Sequence, residues 1–173
     1  FLSIIIPFSV LYILKLIDTK IHSKEELEKQ LPEIDFLGEV PYNEELKSIN
    51  NPRGIFAESA RVIRSNISFK LSPKNVCSVI LSTSSIKGEG KTISAYNIAA
   101  SYAAAGEKVL LLGGDLRNPQ LHKILNVERN SNDAGLVNII LNPSDFSAKD
   151  YVQKTTVFNN NLDFILSGPI PPN

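Results

Sequence analysis

Methionine is absent from all 173 residues, and the chain opens on Phe1. Translation needs an initiator, so the sequence is expected to be a piece of a longer chain. The single cysteine, Cys77, excludes an intramolecular disulfide and fits a reduced, cytoplasmic compartment for the globular part. The only histidines are His22 and His122, so no Cys/His cluster has metal-ligand spacing. Charge of one sign is lacking too, since 18 Lys+Arg balance 18 Asp+Glu. Without a basic field to hold a phosphate polymer, nucleic-acid binding is not expected. What is present, 43% hydrophobic and 21% charged residues, is ordinary for a folded protein and speaks against wholesale disorder. The length suits one domain of about 100 to 150 residues with an appendage.

The appendage is the first segment. Residues Phe1 to Leu14 carry no charge, and Lys15 is the sole charge before Asp18. At a rise of about 1.5 Å per residue, residues 1–17 span about 25 Å, short of the ~30 Å hydrocarbon core, which predicts a truncated transmembrane helix. Pro7 is tolerable in such a helix. No basic stretch precedes the segment and no small-residue cleavage site follows it, which argues against a signal peptide; a buried core helix is the other alternative. Lys15, Lys20, Lys24 and Lys29 follow the apolar run, so residues from about 18 onward are expected on the cytoplasmic side of a bacterial plasma membrane.

A linker is expected over 18–50. Within it, Ser23 and Glu26 form a capping-box pattern for a short polar helix ending at Gln30, and Pro32, Gly38 and Pro41 punctuate an irregular connection with a short apolar piece at 36–40. From Phe56 to Phe69 the apolar residues Phe56, Ala60, Ile63 and Ile67 recur at helical spacing, with Glu58, Arg61 and Arg64 on the opposite face. Val76 to Ser82 reads as a strand, Lys91 to Ala105 as an Ala-rich helix ended by Gly106, and Val109–Leu112 and Leu162–Leu166 as further strands. Gly135 to Leu141 reads as helical. Continuous apolar strands alternating with helices predict an α/β domain over 51–173 with a parallel sheet covered on both faces.

Between the first strand and the Ala-rich helix stands SIKGEGKT, residues 85–92. The strand–loop–helix context is the one a phosphate-binding G-x-x-x-x-G-K-[ST] loop requires, with Ser85 in place of the first glycine. Gly88 and Gly90 let the backbone turn and aim N–H groups at phosphate oxygens, assisted by the helix N-terminus. Lys91 then reaches the β/γ-phosphates, and Thr92 offers its hydroxyl to Mg²⁺. Ser85, Gly88, Glu89, Gly90, Lys91, Thr92 and Ile93 form the expected nucleotide contact, which implies ATP and Mg²⁺. Ligands bind at strand C-termini in parallel sheets, so Asp115, after Val109–Leu112, could face the metal; an Asp turn beside Pro119 is the alternative.

Glu58-x-x-Arg61-x-x-Arg64 with Asn66 and Phe69 behind it, GEGKT, VLLLGGDLRNP and LSGPIPPN, in this order after an apolar helix, resemble the bacterial tyrosine kinases (BY-kinases) of capsule and exopolysaccharide export. The resemblance covers nearly the whole chain. It implies a P-loop NTPase-like kinase domain lacking its C-terminal part behind a membrane anchor, and an ATP-dependent protein-tyrosine kinase that autophosphorylates and regulates polysaccharide polymerisation and export. It also implies that Lys91 and Asp115 serve catalysis, that Thr92 and Asp115 hold Mg²⁺, and that Glu58, Arg61 and Arg64 join copies into a ring. Without the resemblance, Glu58 and Arg61 read as a pair along one solvated helix face. Partners so implied are further copies of the chain and the polysaccharide export and polymerisation proteins.

Two positions depart from the family pattern. Gly113 stands where the first aspartate of D-x-D-x-R is expected, the carboxylate implicated in accepting the tyrosine proton, and Lys87 stands where proline is usual. Gly113 motivates an alternative, a nucleotide-binding scaffold that has lost transfer chemistry and uses ATP to favour assembly. A third reading, a partitioning-type ATPase, is opposed by the anchor and by the E-x-x-R-x-x-R helix. Among the tyrosines, Tyr96 and Tyr102 lie on the loop helix and are expected to pack, while Tyr42 and Tyr151 carry no stronger signal as phosphoacceptors.

Overall fold

A computed structural model describes residues 2–18, 20–41, 54–71, 77–128, 133–145, 147–155 and 161–169. The chain divides into two compact units, Phe1–Phe36 and Leu37–Asn173.

The first unit holds α1 (Leu2–Ile17) and α2 (Lys24–Gln30). Apolar side chains on every side of α1 are exposed, from Ile5 and Phe8 to Leu16 and Ile17. At 16 residues, α1 is about 24 Å long, and among the described residues no helix is long and apolar enough to cross a membrane. The cap of α2 forms as the sequence predicts on one side: Ser23 Oγ accepts from Glu26 N at 3.2 Å. The return bond is shifted by one residue, because Glu26 Oε2 accepts from His22 N at 3.1 Å. Lys24 Nζ sits 5.2 Å from the ring centre of Phe36, a cation–π contact.

The second unit contains α3 (Ile55–Lys70), α4 (Lys91–Ala104), β1 (Val109–Leu112), α5 (Leu121–Leu125), α6 (Leu136–Leu141), α7 (Ala148–Tyr151), β2 (Gln153–Lys154) and β3 (Leu162–Ile165). The four apolar residues that predict α3, Phe56, Ala60, Ile63 and Ile67, are all buried. This face packs on α4, which also lies against β1 and β3. Tyr102 ties the two helices together, donating to Arg64 O at 3.3 Å and sharing a 3.0 Å hydrogen bond with the Ser68 hydroxyl. Asn66 Nδ2 donates to Leu37 O at 2.8 Å, and Gly38 lies against Ile63, so the start of the second unit packs on α3 as well. At its end, α4 closes as the sequence indicates. Gly106 takes φ +92°, with Gly106 N on Ala103 O and Glu107 N on Tyr102 O, the paired bonds of a Schellman cap.

The sheet order is β1-β3-β2. β1 and β3 are parallel, with Val109 opposite Leu162 and Leu112 opposite Ile165, whereas β2 is antiparallel to β3. The expected parallel pairing holds for β1 and β3, and β2 corrects it at the edge of the sheet. This strand is two polar residues long and carries no apolar signal, and its pairing comes from its position beside β3. Covering on both faces is also corrected. Leu162, Phe164 and Ile165 of β3 are buried, but in β1 only Leu111 is buried while Leu110 and Leu112 are exposed.

The strand expected at 76–82 is a third correction. Val76 lies outside the described residues; residues 77–82 pair with no strand among those described, and Val79 and Leu81 are 89% and 86% exposed. A β-branched run favours extended backbone, but a strand exists only where a neighbour supplies ladder hydrogen bonds. The core gathers Phe56 of α3, Tyr96 and Ala103 of α4, Leu111 of β1, and Leu162 and Phe164 of β3.

Candidate functional site

The first turn of α4 and the chain leaving β1 converge on one place. Gly90 caps α4 at φ +85°, and Gly88 sits at φ +97°, so both turns use the left-handed region that side chains avoid. Apart from its two chain neighbours, nothing stands within 4 Å of where a Cβ would be at either glycine. The first N–H groups of a helix have no partner within it, and among the described residues no protein acceptor meets the N–H groups of Gly88, Gly90, Lys91 or Thr92. Such an open cradle at a helix N-terminus fits a phosphate chain.

Two serines brace the loop from inside. Ser82 Oγ donates to Lys91 O at 3.0 Å, and Ser84 Oγ donates to Ile86 O at 3.1 Å. Glu89 closes it further, since its Oε2 accepts from Ser85 N at 2.8 Å and from Ile86 N at 3.1 Å. The side chain of Glu89 is thus turned back on the loop. Ile93 is half-buried against the core, which makes it an anchor for the first turn of α4.

Lys91 Nζ lies 3.0 Å from Asp115 Oδ2. Asp115 stands just past β1, where Gly113 N still donates to Ile165 O at 2.8 Å and continues the β1–β3 pairing. Its other oxygen accepts from Asn118 N at 3.0 Å, the Asp turn that the sequence left as an alternative. The turn thus uses one carboxylate oxygen and leaves the other on Lys91. The Asn118 N–H first, and then Lys91, hold the Asp115 carboxyl below its ordinary range. Among the described residues no three His, Cys, Asp or Glu side chains gather as a self-sufficient metal site. The hydroxyl of Thr92 and the carboxylate of Asp115 suit an ion whose remaining ligands come from phosphate and water, as Mg²⁺ prefers.

Gly113 is crowded rather than open. A Cβ there would stand 3.2 Å from Ser167 N, 3.3 Å from Ile165 O and 3.5 Å from Leu121 Cδ2. Glu58 and Arg61 are exposed on α3, whereas Arg64, expected on the same outer face, is half-buried at the edge facing α4, one turn from buried Ala60. Arg61 pairs with Glu58 along the helix, the arrangement expected of a solvated face, whereas Arg64 Nε is buried without a hydrogen-bond partner among the described residues. Tyr96 is buried in the core, where desolvation pushes its hydroxyl pKa up, and Tyr102 is occupied by α3, so both pack as expected. Tyr42 lies outside the described residues.

The glycines, Lys91 and Asp115 are legible in the sequence, whereas the backward turn of Glu89 is not. An acidic residue four positions after the start of a phosphate loop was the available signal.

No family model matches the chain. Among known proteins it is 39% identical over 124 residues to CapB of Staphylococcus aureus, covering 72% of this chain and 51% of CapB. It is 38% identical over 126 residues to tyrosine-protein kinase YwqD of Bacillus subtilis, covering 73% of this chain and 50% of YwqD. The chain thus spans about half the length of the curated relatives it matches. The crystal structure of the chimerical protein CapA2B2 has a TM-score of 0.71 to this chain at 37% identity, covering 87% of this chain and 62% of that one. The kinase domain of the Escherichia coli tyrosine kinase ETK has a TM-score of 0.68 at 23% identity, covering 89% and 63%, and shares the α/β fold.

Proposed function

We propose that this chain, a homologue of bacterial tyrosine-protein kinases, is the nucleotide-binding part of an ATP-dependent protein-tyrosine kinase that autophosphorylates and regulates capsule or exopolysaccharide polymerisation and export. The observation that carries the reading is the contact of Lys91 with Asp115 at the mouth of a glycine-turned loop opening α4. Mg·ATP would supply the γ-phosphoryl group, which passes to a tyrosine oxygen while ADP leaves. The N–H groups of Gly88, Gly90, Lys91 and Thr92 would bind phosphate oxygens, and the Lys91 ammonium would neutralise charge on them. Thr92 Oγ1 and Asp115 would hold the metal ion, so Asp115 would exchange Lys91 for Mg²⁺. Positioning and charge stabilisation supply most of the catalysis in phosphoryl transfer, which is what these groups offer.

Self-association into a ring would use the exposed side of α3. Besides Glu58 and Arg61, with the half-buried Arg64 beside them, this helix exposes Ile55, Val62 and Phe69, spaced seven apart in one stripe. α1 would form the cytoplasmic end of a bilayer anchor, with residues from about 18 onward in the cytoplasm and the polysaccharide export proteins as neighbours. In its favour are the apolar surface on every side of α1 and the lysines that follow it.

Gly113 favours a second reading, a scaffold in which nucleotide binding controls assembly without phosphoryl transfer. The position lacks a carboxylate, and the β3 backbone crowds the place where one would stand. Phosphotyrosine detection in the full-length protein separates the two. Lys91→Ala should abolish tyrosine phosphate with the fold intact by circular dichroism, and equal phosphorylation in that variant would sink the kinase reading. Tyrosine phosphate that appears only after Gly113→Asp would establish the scaffold reading.

A further inference from the structure

We propose that Glu89 is a positioning residue for nucleotide binding: its carboxylate closes residues 85–89 into a ring and thereby presets the phosphate-binding half of the loop. This rests on the nucleotide-binding reading and gives the Glu89 side chain a role within the loop in place of the nucleotide contact expected from the sequence. The geometry is specific. One oxygen, Oε2, accepts from two consecutive backbone N–H groups, Ser85 N at 2.8 Å and Ile86 N at 3.1 Å. Those N–H groups lie at the entrance of the loop, before Gly88, Gly90, Lys91 and Thr92, whose N–H groups meet no protein acceptor among the described residues. The acceptor thus divides the loop into a part satisfied by its own side chain and a part left for phosphate.

The physical need for such a closure lies in the loop itself. Gly88 and Gly90 both adopt positive φ, and glycines lose the most conformational freedom when a loop is ordered. Residues 77–82, which lead into the loop, pair with no strand among the described residues. A charge-assisted bond from Glu89 to two amides restrains that entrance in advance. Ordering that is complete before the ligand arrives is not deducted from its binding energy. Because Glu89 is exposed and makes its contacts within the loop, its removal alters preorganisation and not the core.

Calorimetric binding of Mg·ADP to the full chain tests the assignment with Glu89→Ala and Glu89→Gln. Glu89→Ala should weaken Mg·ADP by about tenfold, the scale of losing a side-chain cap on backbone amides, while the thermal midpoint without nucleotide stays unchanged. Glu89→Gln keeps a carbonyl acceptor of the same length and should restore binding to within about threefold of the unaltered chain. Equal or tighter binding by Glu89→Ala overturns the proposal, and so does a Glu89→Gln variant as weak as Glu89→Ala. A failure of the unaltered chain to bind Mg·ADP overturns the nucleotide reading itself and the role of Glu89 with it, so the two failures are distinguishable.

Discussion

Lys91 and Asp115 meet at 3.0 Å, joining the first residue of α4 to the chain leaving β1. The lysine proposed to bind phosphate is therefore held by the carboxylate proposed to bind the metal. Each group neutralises the other, and in the proposed function an anion and a cation would replace them.

That competition has a measurable consequence. Asp115→Asn removes the charge competing for Lys91, so ADP without Mg²⁺ should bind about two- to tenfold more tightly than to the unaltered chain. The enhancement by Mg²⁺ should shrink in the same variant. Lys91→Ala should weaken ADP more than tenfold under both conditions. Titration calorimetry with and without EDTA reads all three, and an unchanged metal-free affinity in Asp115→Asn would refute the competition.

The acidity of Asp115 comes from the Asn118 N–H, from Lys91 and, least, from the Arg117 N–H. The Asn118 N–H comes first and Lys91 second, so in Lys91→Ala the Asp115 carboxyl should rise only part of the way back to its ordinary value. Because the folded pKa is depressed, the stabilisation this carboxylate provides is fully present above the unfolded value of about 3.9 and disappears as pH falls through the folded value. Carbon-detected NMR titration of Asp115 in both proteins checks this; complete reversion in Lys91→Ala would contradict the order.

Two glycines far apart in sequence touch backbone to backbone. A Cβ on Gly135 would stand 2.3 Å from Gly168 N and 2.4 Å from Leu166 O. Gly135→Ala should therefore cost about 1 to 3 kcal/mol or more, since the backbone cannot yield as a side chain can. Gly88→Ala, which meets no atoms within 4 Å, should cost only the strain of its positive φ, about 1 to 2 kcal/mol. Chemical denaturation of both variants gives the comparison.

The two sides of α3 should respond differently. Ile63→Ala on the buried side should cost about 2 to 5 kcal/mol. Val62→Glu with Phe69→Glu, on the exposed stripe, should leave the unfolding midpoint nearly unchanged and lower the oligomer size. Sedimentation of the full-length protein decides it, and an unaltered size would remove the stripe from the association surface.

Much of this protein is determined locally. Four apolar residues at helical spacing settle which face of α3 is buried, because helix geometry converts sequence spacing into a side of a cylinder. Gly106 ends α4, and Gly88 and Gly90 turn the phosphate loop, because only glycine takes positive φ cheaply. The short-range code extends to α2, where Ser23 and Glu26 act on amides within the same turn.

What the chain could not announce depends on partners distant in sequence. The run at 77–82 has strand composition yet no described ladder, and the polar Gln153 and Lys154 form a strand because β3 lies beside them. Asp115 reads as a turn residue until folding brings Lys91 to it, and Gly113 reads as a missing carboxylate until Ser167 N and Ile165 O are seen to crowd it. Sequence spacing sets local backbone geometry and periodicity. Which strands pair, and which charges meet, is decided only when the whole core closes around Leu162 and Phe164.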